Sequence, residues 1–326
     1  MISRVAEHCF WMARYLERAE DTARILDVNQ TLLLDYHVPM EQQWRPVLII
    51  SGIYDMPGEP QAETVQDYMT WEASNLCSIA SSLAAARENA RIIREVISAE
   101  MWERLNYYHL WMQGSAARQL YENSRCDFYS EIRRINQLIH GIADGTMSHD
   151  EPWSFFQLGT YLERACQTAR ILDVKYHMGM RGGDKVQDAD ATPVDNAHWV
   201  AILTSCSGYE PFHKKVRQLQ DTGMAVAEFL VLDNEFPRSV RCCLRRCERA
   251  AHAVSGRPVD QPGDGVEKML AELIGWLNGR SIAEVFRDGL HEALTHVVDS
   301  THELGAAIHR TYFDVRGRTG SSKRGV

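Results

Sequence analysis

Apolar residues recur at helical spacing along most of this chain. Within 4–35, Leu16, Ala19, Ala23 and Leu26 follow the i, i+3, i+7, i+10 rule, and no Gly or Pro intervenes. Segments 75–97, 101–113, 127–143, 153–178, 211–232, 238–254 and 282–313 read the same way. Ser281 with Glu284 gives a capping box ahead of the last of these, and Pro152 suits the first turn of the helix over 153–178. No run of alternating β-branched residues signals a strand. The pattern predicts an all-α fold.

The same pattern is written twice. Residues 15–28 read YLERAEDTARILDV and residues 161–174 read YLERACQTARILDV, differing only where Glu20 and Asp21 face Cys166 and Gln167. The match extends further. Trp44, Leu48 and Tyr54 correspond to Trp199, Leu203 and Tyr209; Met69, Ser78 and Leu83 to Leu230, Ser239 and Leu244; Thr146 to Thr311. An internal repeat decides the architecture before any local detail. The expectation is an internally duplicated helical bundle with pseudo-two-fold symmetry: copy one over 1–146 and copy two over 147–315, packed as one body. The basic, Gly/Ser-rich end, 316–326, reads as a disordered tail. The Gly/Asp-rich stretch 180–199 reads as a long loop, much longer than its counterpart around 37–43, and so either functional or merely mobile.

On a helical wheel of 100° per residue, Arg24 falls almost directly above Glu17, while Tyr15, Ala19, Thr22 and Leu26 lie opposite. Identity between the copies runs right round this helix, so every face is expected to touch something. The Glu17/Arg24 face and its repeat, Glu163/Arg170, admit two readings. One is a set of structural ion pairs where two helices meet, because buried charge requires a partner. The other is a central polar cavity that binds a charged ligand. A second charged element belongs to copy one alone. Arg87, Arg91 and Arg94 share one stripe around Asn89, and the matching segment 248–255 lacks two of the three arginines. Such a stripe can receive carboxylates or phosphates, or can be a solvated face. The candidate acid–base group is Glu17, and the candidate ligand-binding residues are Arg24, Arg87, Asn89, Arg91, Glu163 and Arg170.

Bulk properties narrow the function. A net charge of −9 argues against nucleic-acid binding. No stretch approaches the roughly 20 apolar residues of a membrane span. The first residues are interrupted by charge and do not read as a secretory signal, so the eight scattered cysteines read as cytoplasmic thiols. Cys242, Cys243 and Cys247 read as small buried residues rather than metal ligands. No phosphate-binding loop, dinucleotide fingerprint or nucleophile elbow is present, and nothing calls for a cofactor. HEALTH (291–296) misses the metalloprotease spacing by one residue, and the repeat lacks the Glu-x-x-His pairs of a di-iron bundle. His302 and His309 share a helix face without forming a ligand set.

Three long segments carry a family resemblance: MISRVAEHCFWMARYLERAEDTARILDV at the start, SSLAAARENARIIREVISAEMWERLN (81–106), and DGTMSHDEPWSFFQLGTYLERACQTARILDV (144–174). They resemble the bacterial alpha-E domain family over nearly the whole chain. The resemblance implies a bacterial cytoplasmic helical protein that works alongside a circularly permuted ATP-grasp protein and a transglutaminase-like cysteine peptidase. It also implies a peptide- or amide-forming pathway, with a peptide or amino acid as ligand. The residues it carries over are Glu17, Arg18, Arg24, Glu163, Arg164, Arg170 and the Arg87–Arg91 segment. Copy two departs at Cys166 and Gln167, which puts equal sites in both halves in doubt. Three functions compete: an accessory or substrate-binding subunit, an enzyme using a Glu/Arg cavity, and a purely structural scaffold.

Overall fold

Two long helices bearing the repeated sequence, α1 (Ser3–Leu33) and α8 (Glu151–Gly179), pack against each other more extensively than any other pair in the computed structural model. The residues described are 3–33, 40–56, 58–179, 193–216, 222–258, 261, 263 and 265–314. Among them every regular element is helical. After α1 come α2 (Met40–Ile50), α3 (Ala62–Trp71), α4 (Ile79–Ile92), α5 (Ala99–Gln113), α6 (Ser115–Asn123) and α7 (Arg125–Thr146). After α8 come α9 (Pro193–Ser205), α10 (Tyr209–Lys215), α11 (Thr222–Leu232), α12 (Val240–Ser255), α13 (Val266–Asn278), α14 (Ile282–Asp288) and α15 (Leu290–Ile308), closed by a π-helical turn over His309–Phe313. No helix of the described residues is long and apolar enough to cross a membrane.

α1 is flanked by α4 and α7, and α8 by α12 and α15. The helices α4 and α12 start alike: Ser78 accepts a hydrogen bond from Ser81 N, and Ser239 accepts one from Cys242 N. The apolar side of the repeat is inside, with Leu16, Leu26, Leu162 and Leu172 all buried. Each such side chain contributes on the order of 2 kcal/mol on burial. Around them pack Phe10, Phe128, Tyr129, Phe155 and Phe156, all fully buried. Cys242, Cys243 and Cys247 are buried in the same way, and all eight cysteines are free thiols.

Several boundaries differ from the periodicity. The segment 211–232 is two helices, because the backbone becomes extended at Val216. The segment 282–313 is broken at Gly289, whose φ of 112° is open to glycine and not to a side-chain-bearing residue. The capping box of Ser281 and Glu284 forms, and it opens α14 rather than the long helix after it. Of the stretch read as a loop over 180–199, residues from Pro193 onward belong to α9, and 180–192 lie outside the described residues, as does the tail 316–326. α2, α3, α6, α9 and α13 are not among the segments that spacing predicts; α2, α3 and α6 have 11, 10 and 9 residues, at or below the window in which a period shows.

The close approach of α1 and α8 depends on Gly159. A Cβ there would sit 2.3 Å from the Phe10 carbonyl oxygen, and backbone cannot move aside as a side chain can. Gly159→Ala therefore loses about 2–3 kcal/mol to overpacking, well beyond the roughly 1 kcal/mol that alanine gains in helix propensity. Chemical denaturation of the variant measures this; a stability equal to or above that of the parent would contradict the packing described.

Candidate functional site

At the α1–α8 contact the two Glu-Arg dipeptides exchange partners. Arg164 donates to both Glu17 oxygens at 2.7 Å, and Arg18 Nε donates to Glu163 at 2.9 Å. Arg14 adds a 2.6 Å bond to the other Glu163 oxygen. Ion pairs thus bridge the two helices, but the arginines are not Arg24 and Arg170. Seven residues of helix rise by about 10 Å, too far for Arg24 to reach Glu17 along the axis. Arg24 instead donates to Glu20, one turn away, at 2.8 and 2.5 Å. Arg170 donates to the Ile50 carbonyl at 2.7 Å, and its other terminal nitrogen lies 3.3 Å from His302 Nε2.

Around Glu17 the charges multiply. Arg238, which immediately precedes the cap residue Ser239, reaches back to α1 and donates to Asp21 at 2.6 Å and Glu20 at 2.9 Å. Asn136 on α7 donates to Glu17 and Glu20, and His140 Nε2 lies 2.7 Å from a Glu17 oxygen. Burial pushes the Glu17 carboxyl up, but Arg164, His140 and Arg238 outweigh it and hold the group well below the usual range. Burial likewise opposes ionisation of Glu163, and Arg18 and Arg14 override it. Asp21 is the exception. Burial, reinforced by the neighbouring Glu17 and Glu20 charges, outweighs Arg238 and pushes it up to about 7. One of its oxygens, Oδ2, is buried with no hydrogen-bond partner.

This cluster backs onto a cavity of about 620 Å³. Glu20 and Arg24 of α1, His140 of α7, Arg164 of α8, Lys215 of α10 and Arg238 supply its charged wall. Phe229 and Phe236, stacked at 4.6 Å, supply an apolar one. Glu17 lies behind the wall, fully buried, and meets the cavity lining through His140, Arg164 and, at 3.7 Å, Arg238. Ser207 also lines it, and its backbone is unusual. Ser207 and Gly208 close α9 with the paired bonds Ser207 N to Thr204 O and Gly208 N to Leu203 O, which put Ser207 at φ 55°. The matching turn after α2 has Gly52 at φ 77°. Serine there costs about 1 kcal/mol relative to glycine, and its buried hydroxyl oxygen has no partner.

The whole of this arrangement, residues 1–313, matches Alpha-E, described as a predicted alpha-helical domain with a conserved ER motif. The chain belongs to the Alpha-E family. Uncharacterized proteins of Mycobacterium bovis and Mycobacterium tuberculosis are each 24% identical to it over 340 residues, covering 96% of this chain and 36% of their own length. The chain thus spans little more than a third of these relatives. No solved structure matches it.

Four Glu-Arg dipeptides occur in this Alpha-E chain, at 17–18, 103–104, 163–164 and 248–249. Only at 17–18 and 163–164 is the glutamate buried and locked to the opposite arginine, whereas Glu103 and Arg104 are exposed. Of the residues singled out by sequence, Arg24 lines the cavity, Glu17 stands behind it, and Glu163 and Arg170 lie off its wall. The arginine stripe is elsewhere. Arg91 pairs with Glu88 on the surface at 2.7 Å, and Arg87 donates to Asn106 at 3.1 Å. Arg87 and Arg94 both lie over the Trp102 ring. Asn89 donates to the Ala85 carbonyl, and its side-chain oxygen lies 2.7 Å from His8. His291 and His296 likewise diverge, one toward Asp173 and the other against Trp276. Spacing gave no hint of His140, Ser207, Lys215 or Arg238, which are single residues far apart in sequence. The available signal was the repeat itself, since Glu20 and Asp21 are the two positions that diverge within it.

The titrations give a pH dependence of two signs. Asp21 keeps its proton in the folded chain up to about 7 and releases it near 3.8 when unfolded, so stability falls as pH rises through that window. Glu17 and Glu163 act oppositely, and the stability they contribute is lost as pH falls below about 4.5. Asp21→Asn removes the first effect alone. Melting temperatures measured from pH 5 to pH 8 should decline in the parent and flatten in the variant; parallel curves would show that Asp21 titrates as in an unfolded chain.

Proposed function

We propose that this Alpha-E chain is a substrate-binding accessory domain in a peptide- or amide-forming pathway, holding a peptide or amino-acid ligand for an ATP-grasp protein that performs the ligation. The cavity carries this reading. Its wall carries Arg24, Arg164, Arg238 and Lys215, which a ligand carboxylate would share with their partners Glu20, Glu17, Asp21, Asp233 and Glu235; Glu20 and Glu235 face an ammonium group, and Phe229 with Phe236 an apolar side chain. Its volume suits a short peptide. The strained Ser207, with its unpartnered hydroxyl on the same wall, fits a group retained for a ligand at the expense of stability. The partnership with a circularly permuted ATP-grasp protein, and with a transglutaminase-like peptidase, rests on the family resemblance. It accords with relatives in which the matching region is only 36% of a longer chain. The reading also takes the chain as two duplicated copies, 1–146 and 147–315, whose matching half-sites have diverged where Glu20 and Asp21 face Cys166 and Gln167.

Calorimetry with tripeptides bearing a free carboxyl end, against the same peptides amidated, tests the ligand class. Loss of one charge-assisted contact weakens binding by about tenfold or more. Ser207→Gly should raise stability by about 0.5–1 kcal/mol while weakening the free-acid peptide. Equal binding of acid and amide, or none of either, would remove the peptide-carboxylate reading.

The pairing of His140 with Glu17 supports a second reading, an enzyme in its own right. His140 lines the cavity and its Nε2 lies 2.7 Å from Glu17, so the buried glutamate acts through the imidazole. Glu17→Gln decides between them. In the accessory reading a folded variant keeps pathway turnover when co-expressed with the ATP-grasp protein; in the enzymatic reading turnover falls by about 100-fold or more.

A further inference from the structure

The cavity has a counterpart of different chemistry. In the repeat, Glu20 and Arg24 correspond to Cys166 and Arg170. The register that matches Thr146 with Thr311 places His302 where the cavity has Gln137. These three residues meet between α8 and α15. Cys166 Sγ lies 3.9 Å from His302 Nε2, and Arg170 donates toward the same nitrogen at 3.3 Å. Two further observations set the group apart. Arg170 Nε is buried and has no hydrogen-bond acceptor, so one donor of the guanidinium that contacts His302 stands unpartnered. His302 is exposed, which puts one edge of the cluster at the surface, while Cys166 itself is 3% exposed.

We propose that Cys166, His302 and Arg170 form a second site, distinct from the cavity, in which the thiol reduces a small peroxide and becomes a sulfenic acid. The Cys166 proton passes to His302 Nε2 as the Arg170 guanidinium turns its hydrogen from that nitrogen to the new thiolate, and the thiolate sulfur attacks one peroxide oxygen. The S–O bond forms as the O–O bond breaks, sulfur is oxidised by two electrons, and the departing hydroxide takes the proton from the His302 imidazolium to leave as water. Arg170 Nε then has its acceptor in the new sulfenic oxygen. The burial of Cys166 selects the oxidant: hydrogen peroxide, with two heavy atoms, reaches a thiol that a bulky disulfide cannot. The electrostatics run the same way. Burial pushes the Cys166 thiol up, but His302 and Arg170 overcome it and hold the group below its ordinary value, even against the Glu163 charge. At Cys9, Cys206 and Cys243 burial wins, even though arginines act on the last two, and the thiols are pushed up to about 12. The site does not depend on the accessory reading of the cavity.

The test treats the full chain with hydrogen peroxide at neutral pH in the presence of dimedone, and follows labelling of each cysteine by peptide mass spectrometry. Exposed Cys126 and buried Cys243 are internal references. Cys166 is expected to label about tenfold faster than Cys126, and His302→Gln to slow Cys166 about tenfold while leaving Cys126 unchanged. Arg170→Lys, which keeps the charge but removes the Nε donor, is a second variant and should also slow it. Labelling of Cys166 no faster than Cys126, labelling in step with Cys243 as global opening would give, or rates indifferent to both variants would each overturn the proposal.

Discussion

The fold rests on two glutamates that cannot be left alone. Glu17 and Glu163 are essentially without solvent, and an unpaired carboxylate at either place would cost several kcal/mol. Neither takes an arginine from its own helix. Glu17 takes both donors of Arg164, and Glu163 takes Arg18 and Arg14. The electrostatic requirement is therefore met only when α1 and α8 lie together in one register, a condition that generic apolar packing does not impose. Gly159 completes it by letting the α8 backbone come against Phe10. Hydrophobic burial supplies most of the favourable energy, and the exchanged ion pairs specify which arrangement receives it.

That constraint explains where the site lies. Once the Glu-Arg exchange has placed charge at the α1–α8 contact, further polar groups gather there at lower cost, because partners are already present. Arg238 and Asn136 arrive from different elements and complete a network around Glu17, Glu20 and Asp21. On the opposite side, Cys166 and Gln167 stand where Glu20 and Asp21 do, and Arg170 is tied to the Ile50 carbonyl. One side of the contact opens onto the cavity, and the other is held by a main-chain bond.

The all-helical architecture was legible because helical spacing runs through most of the sequence. The repeat also pointed to the glutamates, since identity right round a helix means that no face is idle. The arginine partners were misassigned because a helical wheel hides rise: Glu17 and Arg24 share an angle but not a height. The stripe of Arg87, Arg91 and Arg94 illustrates the converse limit. Its spacing is that of a binding surface and equally of a solvated one, and the decisive facts, the pairing of Arg91 with Glu88 and the Trp102 ring under Arg87 and Arg94, belong to tertiary structure. Arg238 and Ser207 were invisible for a related reason. Each is an isolated residue whose role is set by the turn it occupies, and a turn leaves no period.

The conflict at Asp21 shows how such a network divides structural from responsive roles. Glu17, Glu20 and Asp21 crowd within five residues of one helix, and Arg238 cannot neutralise all three. Glu17 has Arg164, and Glu20 has Arg24, so both stay ionised. Asp21 is left with half a guanidinium and an unpartnered oxygen, so it yields its charge instead. A fold selected only for stability would replace it with a neutral residue, as the matching Gln167 does. Keeping an acid that is neutral inside and poised near 7 places an adjustable charge directly behind Glu20 and Arg238, where a change at the cavity wall and a change of protonation must influence each other.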